Sequence, residues 1–520
     1  MNPSWQNIDH VVVLMQENLS FDRVFGWTRE LGADGVPEGV DFAIDHPLFA
    51  TGATLRPEPG ASLIPPGAAH MPWDMAKQLH GGPNGAGFIE TMLHRAEKEK
   101  KITDDQRREL VREGLRYHRR DDLPVYRDLV ANFTLADRWF APIASATWPN
   151  RYFLHMGTSP TGAEPFPELN GGWPSIFSRL TEAGPAWRIY VDGPATLITS
   201  RSVVHAATQA RRKARAAGAS RDDADPIRAF DRFLCDVSRT DGSAWPPGLP
   251  GHDLAGVDRL PAYTFIEPRH WPSKDLHPNN DHHHTHLHDG QRLVANIYNA
   301  LRADPIRWAR TLFVVTYDEH GGYWDHVEPP AAPHPGTGKR GIGRGGTALD
   351  WYGGRVPALL ISPLLRQGVY SHVCDHTSVL AFLERRFQLE PLTLRDGTAD
   401  DLTAAFGDEL RETPARLAPP PLPAAVPVTG DLDKDLTSLG LSLYRLHAEQ
   451  AGVDGDAELR ELDLETIQQR GEARAGEEED KHETSGAEGP MQWACRRSSA
   501  NPRLPHIRLG TRWVPRHTRL

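Results

Sequence analysis

The sequence predicts an α/β fold with a mostly parallel central sheet whose two faces are covered by helices, and two observations support this. Four apolar runs are nearly continuous, which is typical of strands buried on both faces. They are residues 8–15, 186–191, 311–316 and 356–361. Segments with apolar residues at helical spacing alternate with these runs, and such alternation favours a parallel sheet. They are residues 86–101, 104–116, 202–217, 290–302 and 378–387.

The helix predicted over 290–302 has the clearest pattern. Leu293, Val294, Ile297 and Leu301 recur at the spacing of one helical face. Asp289 precedes this stripe and is the predicted N-cap, because a short acidic side chain can accept hydrogen bonds from the first free backbone N–H groups.

The chain of 520 residues suffices for one large domain and an appendage. We predict that the α/β domain covers residues 1–412. The Pro-rich segment 413–430 is predicted to be a semi-rigid connector, followed by a short helical segment over 431–469. Residues 470–520 combine an acidic block with an arginine-bearing tail that lacks periodicity, and this composition predicts disorder.

Bulk properties exclude several classes of protein. The net charge of −11 argues against a nucleic-acid partner. Cys235, Cys374 and Cys495 are too few and too scattered for a disulfide framework, and they indicate buried thiols. We recognise no signal peptide and no window of about 20 apolar residues that could span a membrane. We therefore expect a soluble protein that is cytoplasmic, or exported without a recognisable leader.

Oxygen-bearing side chains follow two of the predicted strands. Glu17 and Asn18 come after the first strand, and Asp318 and Glu319 come after the run at 311–316. In open α/β sheets ligands bind at the carboxyl ends of the strands. Each acid taken alone is explained as well by a helix cap or a solvent-facing position. Two pairs at one sheet edge instead favour a divalent cation site.

The stretch SATWPNRYF places a hydroxyl at a predicted helix start. Thr147 lies two residues before Pro149, and proline favours the first turn of a helix. The N-terminus of a helix attracts anions through its free N–H groups and its dipole. Next to a divalent cation, the Thr147 hydroxyl would be a candidate nucleophile toward phosphorus. The stretch alone is explained as well by an ordinary threonine N-cap.

Histidines form a third group of candidates. The run PNNDHHHTHLHDG contains five of them, which could donate hydrogen bonds to a phosphate, protonate a leaving group, or form a loose metal chelator. They are His282, His283, His284, His286 and His288. His80 in the glycine-rich stretch QLHGGPNGAGF is a further candidate.

Seven ordered blocks in residues 7–390 resemble the bacterial phosphoesterase family that contains the haemolytic and non-haemolytic phospholipases C and a group of acid phosphatases. The blocks are IDHVVVLMQENLSFDRVFG, HGGPNGAGF, ATWPNRYF, PNNDHHHTHLHDGQ, TYDEHGGYWDHVEPP, GGRVPALLISP and DHTSVLAFLERRF. The resemblance implies a three-layer α/β/α sandwich of the alkaline-phosphatase-like type. It also makes residues 1–412 the phosphoesterase catalytic domain.

The resemblance also assigns roles to the site residues. Glu17 and Asn18 fall at the family's first pair of metal ligands, and Asp318 and Glu319 at its second pair. Thr147 falls at the nucleophile, which in the family also ligates the metal.

Histidine and amide roles follow in the same way. His80 falls in the block that holds an active-site histidine of the family, with Asn84 four residues on. His282 and His283 match the family's histidine pair, and His376 lies in the DHTS block. We predict that His80, His282 and His283 are catalytic, and that Asn84 and His376 contact substrate.

Two positions depart from the family. His284 stands where a proline is usual, and Trp148 stands where the phospholipases commonly have an acidic residue. The second departure bears on the head group that the site would accept rather than on the chemistry.

The resemblance implies a phosphoric ester hydrolase, specifically a metal-dependent phospholipase C-like enzyme with a threonine nucleophile and a phospho-enzyme intermediate. An acid phosphatase that acts on phosphomonoesters is the alternative within the family, and a non-catalytic metal-binding protein is the alternative outside it. The predicted cofactor is one divalent ion, either Ca²⁺, Mg²⁺, Mn²⁺ or Zn²⁺. The predicted partner is a phosphoester, with a phospholipid at a membrane surface as one candidate.

Overall fold

The computed structural model describes residues 4–80, 85–165, 168, 170–193, 200–220, 224–238, 260–270, 277–336 and 349–421. Its strands in chain order are β1 His10–Gln16, β2 Phe42–Ala43, β3 Thr54–Leu55, β4 Thr134–Ala136, β5 Trp139–Phe140, β6 Trp187–Val191, β7 Ile227–Ala229, β8 Tyr263–Glu267, β9 Thr311–Tyr317, β10 Ala358–Ile361, β11 Gly368–Tyr370 and β12 Cys374–Asp375.

The helices in chain order are α1 Phe21–Phe25, α2 Pro72–His80, α3 Ala86–Lys98, α4 Asp104–Glu113, α5 Pro124–Asn132, α6 Thr147–Met156, α7 Ile176–Ala183, α8 Arg201–Ala216, α9 Phe230–Ser238, α10 Leu287–Arg302, α11 Pro305–Trp308, α12 Thr377–Phe387 and α13 Leu394–Thr398. Short 3-10 helices cover Ser4–Asn7, Gly26–Leu31 and Thr403–Ala405.

The central sheet has eight strands in the order β11-β4-β10-β9-β1-β8-β6-β7. Its pairs are parallel except for the two made by β10. The strand predicted at 356–361 exists, but its predicted parallel direction was wrong, because Ala358–Ile361 runs antiparallel to β9. The prediction also missed β8, a five-residue strand that carries a threonine and ends in a glutamate.

Helices cover the sheet on both faces, as predicted. One group joins α5, α9, α10 and α11, which contact each other and strands of the sheet. A second group joins α6, α7, α8 and α12. Every residue of β1, β9 and β10 is buried. The apolar side chains of these strands lie at the centre of the main core. The fold is therefore the predicted α/β class with a mostly parallel sheet.

A smaller lobe packs beside the sheet. Helices α2, α3 and α4 contact one another and enclose an apolar cluster of their own. Met75, Phe88, Met92 and Val111 form its centre, and Trp324 from the segment after β9 completes it. The lobe is thereby attached to the segment that follows β9.

The helix α10 begins earlier than its apolar stripe predicts. Its N-cap is His286, whose ring accepts a hydrogen bond from the His288 backbone N–H. Asp289, the predicted cap, lies in the first turn instead. The histidine run therefore leads directly into this helix.

The first residues of the segment predicted as a connector pack against the α/β domain. The Trp308 indole donates to Thr413 Oγ1 (2.9 Å), and the Tyr298 hydroxyl donates to the Pro414 carbonyl (2.6 Å). Leu417 is 2% exposed and belongs to the main core. Residues 422–430, the helical segment predicted over 431–469 and the tail at 470–520 lie outside the described residues.

Within the described part of the chain, no helix combines the length and the apolar character that crossing a membrane requires.

Leu417→Ala tests whether this segment belongs to the domain. We expect the free energy of unfolding to fall by about 2–5 kcal/mol, the range for truncating a buried leucine. Leu410→Ala is the matched control, because Leu410 is 60% exposed and should change stability by less than about 0.5 kcal/mol. Urea unfolding measures the stability of both variants. Equally small effects would mean that the segment does not contribute to the folded domain.

Candidate active site

Three neighbouring parallel strands bring carboxylates to one edge of the sheet. Glu17 follows β1, Asp318 and Glu319 follow β9, and Glu267 is the last residue of β8. All four side chains are buried, at 2% exposure or less. Because β1 pairs in parallel with both β9 and β8, the ends of these strands meet at the same place. The sequence predicted three of these acids and missed Glu267.

The backbone after β1 and the backbone after β9 interlock. Asp318 Oδ1 accepts hydrogen bonds from the Asn18 backbone N–H (3.1 Å) and the Glu319 backbone N–H (2.8 Å). Asn18 has a positive φ of 62°. Gly321 lies so close that a Cβ atom there would stand 1.9 Å from the Asn18 carbonyl oxygen. Only glycine fits at this contact, which fixes the two predicted ligand pairs relative to each other.

Arg151 is a buried cation among these acids, and the sequence did not reveal it. Its Nη2 donates to Glu17 Oε1 (3.1 Å) and its Nε lies 3.5 Å from Asp318 Oδ2. Its Nη1 stands 4.0 Å from Glu267 Oε1. An arginine without solvent contact is stable only when carboxylates compensate its charge, and here three surround it.

Arg151 also places Thr147. Both residues belong to α6, and side chains four positions apart lie on the same face of a helix. The face that carries Thr147 therefore turns toward Glu17 and Asp318. The helix N-cap is Ala146, and no side chain caps this end, so Thr147 is not the ordinary N-cap that the sequence alone allowed. Its side chain is 9% exposed, at the helix N-terminus.

Asn150 fixes the loop in front of Thr147. Its Nδ2 donates to the Ser145 carbonyl (2.6 Å), and its Oδ1 accepts from the Ile143 backbone N–H (3.1 Å). The amide is fully buried, so these bonds hold the entry to α6. Trp148, the departure noted in the sequence, is also buried and stacks on Tyr152 with ring centroids 6.0 Å apart.

Electrostatics divide the acids into two kinds. Burial would raise the pKa of Glu17, but His270 and Arg151 outweigh burial and hold this pKa well below its usual range. Burial, followed by the charge of Glu17, raises the pKa of Asp318 to about 7. Burial and Asp318 raise the pKa of Glu319 well above its usual range. The site therefore has more acid groups than its own cations can neutralise.

The unused oxygens fit a divalent cation. Asn18 Oδ1, Asp318 Oδ2 and Glu319 Oε1 are buried and have no hydrogen-bond partner among the described residues. Buried polar atoms normally have hydrogen-bond partners, so these three oxygens, which come from the segments after β1 and β9, indicate a missing partner. Carboxylate and amide oxygens are ligands that Mg²⁺, Ca²⁺ and Mn²⁺ prefer.

A cluster of three histidines lies beside Glu17. One nitrogen from each of His70, His282 and His283 lies within 4.8 Å of the others. His282 Nε2 stands 3.9 Å from Glu17 Oε2. His70 Nδ1 is 2.8 Å from the Ala68 carbonyl, so it carries a proton and leaves Nε2 for a ligand. Such a cluster can bind phosphate oxygens, transfer a proton, or hold a metal.

His80, which the sequence predicts to be catalytic, lies apart from the histidine cluster, and His70 lies in it. His80 is exposed at the end of α2 and packs against Trp351, with ring centroids 5.5 Å apart. His70, ten residues earlier, occupies the cluster instead. His70 begins the stretch HMPW, but the assignment followed the glycine-rich stretch around His80. Asn84 lies outside the described residues.

His376 supports the site from behind. Its ring is fully buried, its Nδ1 accepts from the Trp139 indole (3.1 Å), and its Nε2 lies 2.9 Å from the Asp318 carbonyl. Both ring nitrogens are thus occupied, and burial lowers the pKa of His376 to about 3. We therefore place His376 as a neutral support of the Asp318 backbone rather than against substrate.

His270 is a second residue that the sequence did not reveal. It follows β8 and lies 3.2 Å from Glu17 Oε1 and 3.3 Å from Glu267 Oε1. Burial lowers its pKa, but Glu17 and Glu267 more than compensate and raise the pKa of His270 to about 9.

Asp325 and His326, which end the block after β9, stabilise the loops around the site. Asp22 Oδ2 accepts from His326 Nδ1 (2.7 Å), and Arg355 Nη2 donates to Asp22 Oδ1 (2.9 Å). Arg355 Nε also donates to Asp325 Oδ1 (3.1 Å). This buried network joins the segments after β1 and β9 to the approach to β10.

Known proteins with related sequences match most of the chain. A family model described as the Phosphoesterase family matches residues 8–390. Non-specific phospholipase C3 of Arabidopsis thaliana is 31% identical over 484 residues, which cover 86% of this chain and 83% of that protein. Non-hemolytic phospholipase C of Burkholderia pseudomallei is 28% identical over 442 residues, which cover 77% of this chain and 59% of that protein. A crystal structure of a protein in the alkaline phosphatase superfamily from Vibrio parahaemolyticus is 13% identical, covers 54% of this chain and 70% of its own, and has a TM-score of 0.31.

Gly321→Ala tests the interlock of the two loops. A side chain at this φ of 65° costs about 1–2 kcal/mol, and overlap with the Asn18 carbonyl adds a similar or larger amount, so we expect a loss of about 2–5 kcal/mol. Gly52→Ala is the control, because Gly52 has a φ of 76° and nothing within 4 Å of an added Cβ. Thermal or urea unfolding compares the two variants. Equal losses would mean that the close approach does not constrain the loops.

The raised pKa of Asp318 predicts a pH dependence of the metal-free protein. An acid whose pKa rises from 3.8 unfolded to about 7 folded holds its proton more tightly in the folded state. Its contribution to stability is therefore complete below about pH 4 and is lost as the pH rises to about 7. In EDTA, the free energy of unfolding of the wild type minus that of Asp318→Asn should therefore fall between about pH 4 and pH 7. A difference that rises with pH would contradict this electrostatic description.

Proposed function

Because the chain belongs to the phosphoesterase family and is a phosphoric ester hydrolase, we propose that it is a metal-dependent, phospholipase C-like enzyme with a threonine nucleophile. The relatives named phospholipase C support a phosphodiester of a phospholipid as substrate. The observation that carries the proposal is the position of α6. Its buried Arg151 contacts Glu17 and Asp318, and the same helix face presents Thr147.

Glu17, Asn18, Asp318 and Glu319 are the proposed holders of the cation, together with Thr147. A divalent cation bound there would supply positive charge to a phosphoryl oxygen and lower the pKa of a coordinated hydroxyl. Its binding would also neutralise the surplus of buried acid at Asp318 and Glu319.

The nucleophile in this proposal is Thr147 Oγ. It attacks phosphorus in line with the leaving alcohol, and a bond from threonine to phosphorus replaces the bond to that alcohol. The N-terminus of α6 directs its free N–H groups and its positive dipole end toward the phosphoryl oxygens. Water then cleaves the phosphothreonine, which releases the phosphorylated head group and restores Thr147.

Histidines of the cluster serve the phosphate and the leaving group. His282 is the member in reach of Glu17 Oε2 and is only partly buried, so it can meet both the substrate and solvent. As imidazolium it donates to a phosphoryl oxygen or protonates the departing alkoxide. His70 and His283 are more deeply buried and line the same side. Most of the rate acceleration would come from positioning and charge, as is general for phosphoryl transfer.

Thr147→Ala should abolish turnover while leaving the fold in place. We expect a loss of about 10³-fold or more in kcat, since no other hydroxyl replaces the nucleophile. Thr147→Ser should retain substantial activity because it restores the hydroxyl. Thr208→Ala on the remote helix α8 is the control and should behave as wild type. Near-native turnover of Thr147→Ala would remove the nucleophile assignment.

The choice between diester and monoester chemistry requires a direct comparison of substrates. We expect release of nitrophenol from p-nitrophenyl phosphorylcholine, with little from p-nitrophenyl phosphate, and loss of both activities in EDTA. Readdition of Mg²⁺, Mn²⁺, Ca²⁺ or Zn²⁺ one at a time should restore the diester activity. Preferred turnover of the monoester would identify an acid phosphatase instead. No turnover with any of these metals would favour a non-catalytic metal-binding protein.

A further inference from the structure

His270 is a buried residue to which the mechanism above gives no role. It comes three positions after the end of β8 and lies between two carboxylates. Its Nδ1 is 3.2 Å from Glu17 Oε1, and its Nε2 is 3.3 Å from Glu267 Oε1. The side chain is 1% exposed, so neither solvent nor a substrate in solution accounts for its orientation.

The two oxygens of Glu17 lie in different surroundings. Oε1 is contacted from two directions, by Arg151 Nη2 (3.1 Å) and by His270 Nδ1 (3.2 Å). Oε2 faces the histidine cluster, where His282 Nε2 stands 3.9 Å away. Glu17 Oε1 is thus contacted by nitrogen atoms from two sides, which restricts the rotation of the carboxylate and leaves Oε2 facing the histidine cluster.

The position of His270 is itself built into the fold. Asn280 contacts the His270 ring through its side chain, with Nδ2 and Nδ1 3.0 Å apart. The same residue accepts the Glu17 backbone N–H through its carbonyl (2.8 Å). One asparagine therefore ties the ring and the backbone of its carboxylate partner together. Glu267, the last residue of β8, lies 3.3 Å from the opposite ring nitrogen.

We propose that His270, which lies between Glu17 and Glu267, is a positioning residue that fixes the rotation of the Glu17 carboxylate and so sets which of its oxygens the cation would bind. This inference rests on the cation site proposed above. His270 touches no reacting atom in this account, and it acts only through Glu17. Groups that orient a metal-binding carboxylate in this way commonly change metal affinity by about 10–100-fold when they are removed.

His270 isolates this effect better than Arg151 does. Arg151 contacts Glu17, Asp318 and Glu267 together and also donates to the Met15 carbonyl, so its loss would disturb several ligands and the sheet. Among the proposed ligands, the contacts described for His270 involve Glu17 alone. A change at His270 should therefore alter cation binding through Glu17 and leave the contacts of Asp318 in place.

Titration of the metal-free full chain with Mn²⁺ alone, followed by calorimetry, tests the proposal. His270→Phe removes both ring donors and should weaken Mn²⁺ binding by about 10–100-fold. His270→Asn keeps one N–H donor near Glu17 and should recover part of this loss. His10→Phe is the matched control, because His10 is a buried histidine at the opposite end of β1, and it should bind Mn²⁺ as wild type does.

Unfolding of each variant in EDTA separates positioning from general damage. We expect His270→Asn to lower the metal-free stability somewhat, because two buried carboxylates lose a neighbouring imidazole, and to gain less stability than the wild type when Mn²⁺ is added. Should His270→Phe fail to fold, Glu267→Gln provides the second test, and it should also weaken Mn²⁺ binding. Wild-type affinity in a folded His270→Phe or Glu267→Gln protein would overturn the positioning role alone. A wild-type chain that binds no Mn²⁺ would overturn the proposed cation site as well.

Discussion

The parallel pairing of β1 with β9 and with β8 is the constraint on which the site depends. It brings Glu17, Asp318 and Glu267 out of solvent at one edge of the sheet, where like charges repel and desolvation disfavours ionisation. Arg151 and His270 compensate part of this charge and keep Glu17 ionised. The charge that they do not compensate, together with burial, raises the pKa of Asp318 and of Glu319. A buried set of oxygens with too few cations explains why a divalent ion fits here and how its binding would stabilise the loops.

A single helix links this charge to the proposed chemistry. Arg151 anchors α6 to the ends of β1 and β9, and the turn before it presents Thr147 at the helix N-terminus. The ion pairs of Arg151 therefore fix the helix that carries Thr147. Behind the ligands, His376 holds the Asp318 backbone and His270 contacts Glu17. Groups on three sides thus determine the orientation of the carboxylates, as an enzyme that works through preorganised charge requires.

The sequence predicted those parts of the fold and site that local patterns encode. The apolar runs located β1, β6, β9 and β10, and the helical stripe located α10. The sequence could not show the direction of β10, because the pattern of a short apolar run is the same for parallel and antiparallel strands. The strand β8 was missed because its five residues include polar ones. Arg151, His270 and Glu267 were missed for a different reason. Each acts through a contact between distant segments, and none stands in a motif that indicates a partner. His70 was overlooked because His80 lies in the more conspicuous glycine-rich stretch.

Anomalous diffraction from crystals of the full chain soaked in Mn²⁺ would test the central claim most directly. The account predicts a peak between the ends of β1 and β9, within bonding distance of oxygens from Glu17, Asn18, Asp318 and Glu319, with Thr147 beside it. A peak found solely among the nitrogens of His70, His282 and His283 would contradict it, because the surplus of buried acid would then have no cation. The absence of any peak at the strand ends would do the same.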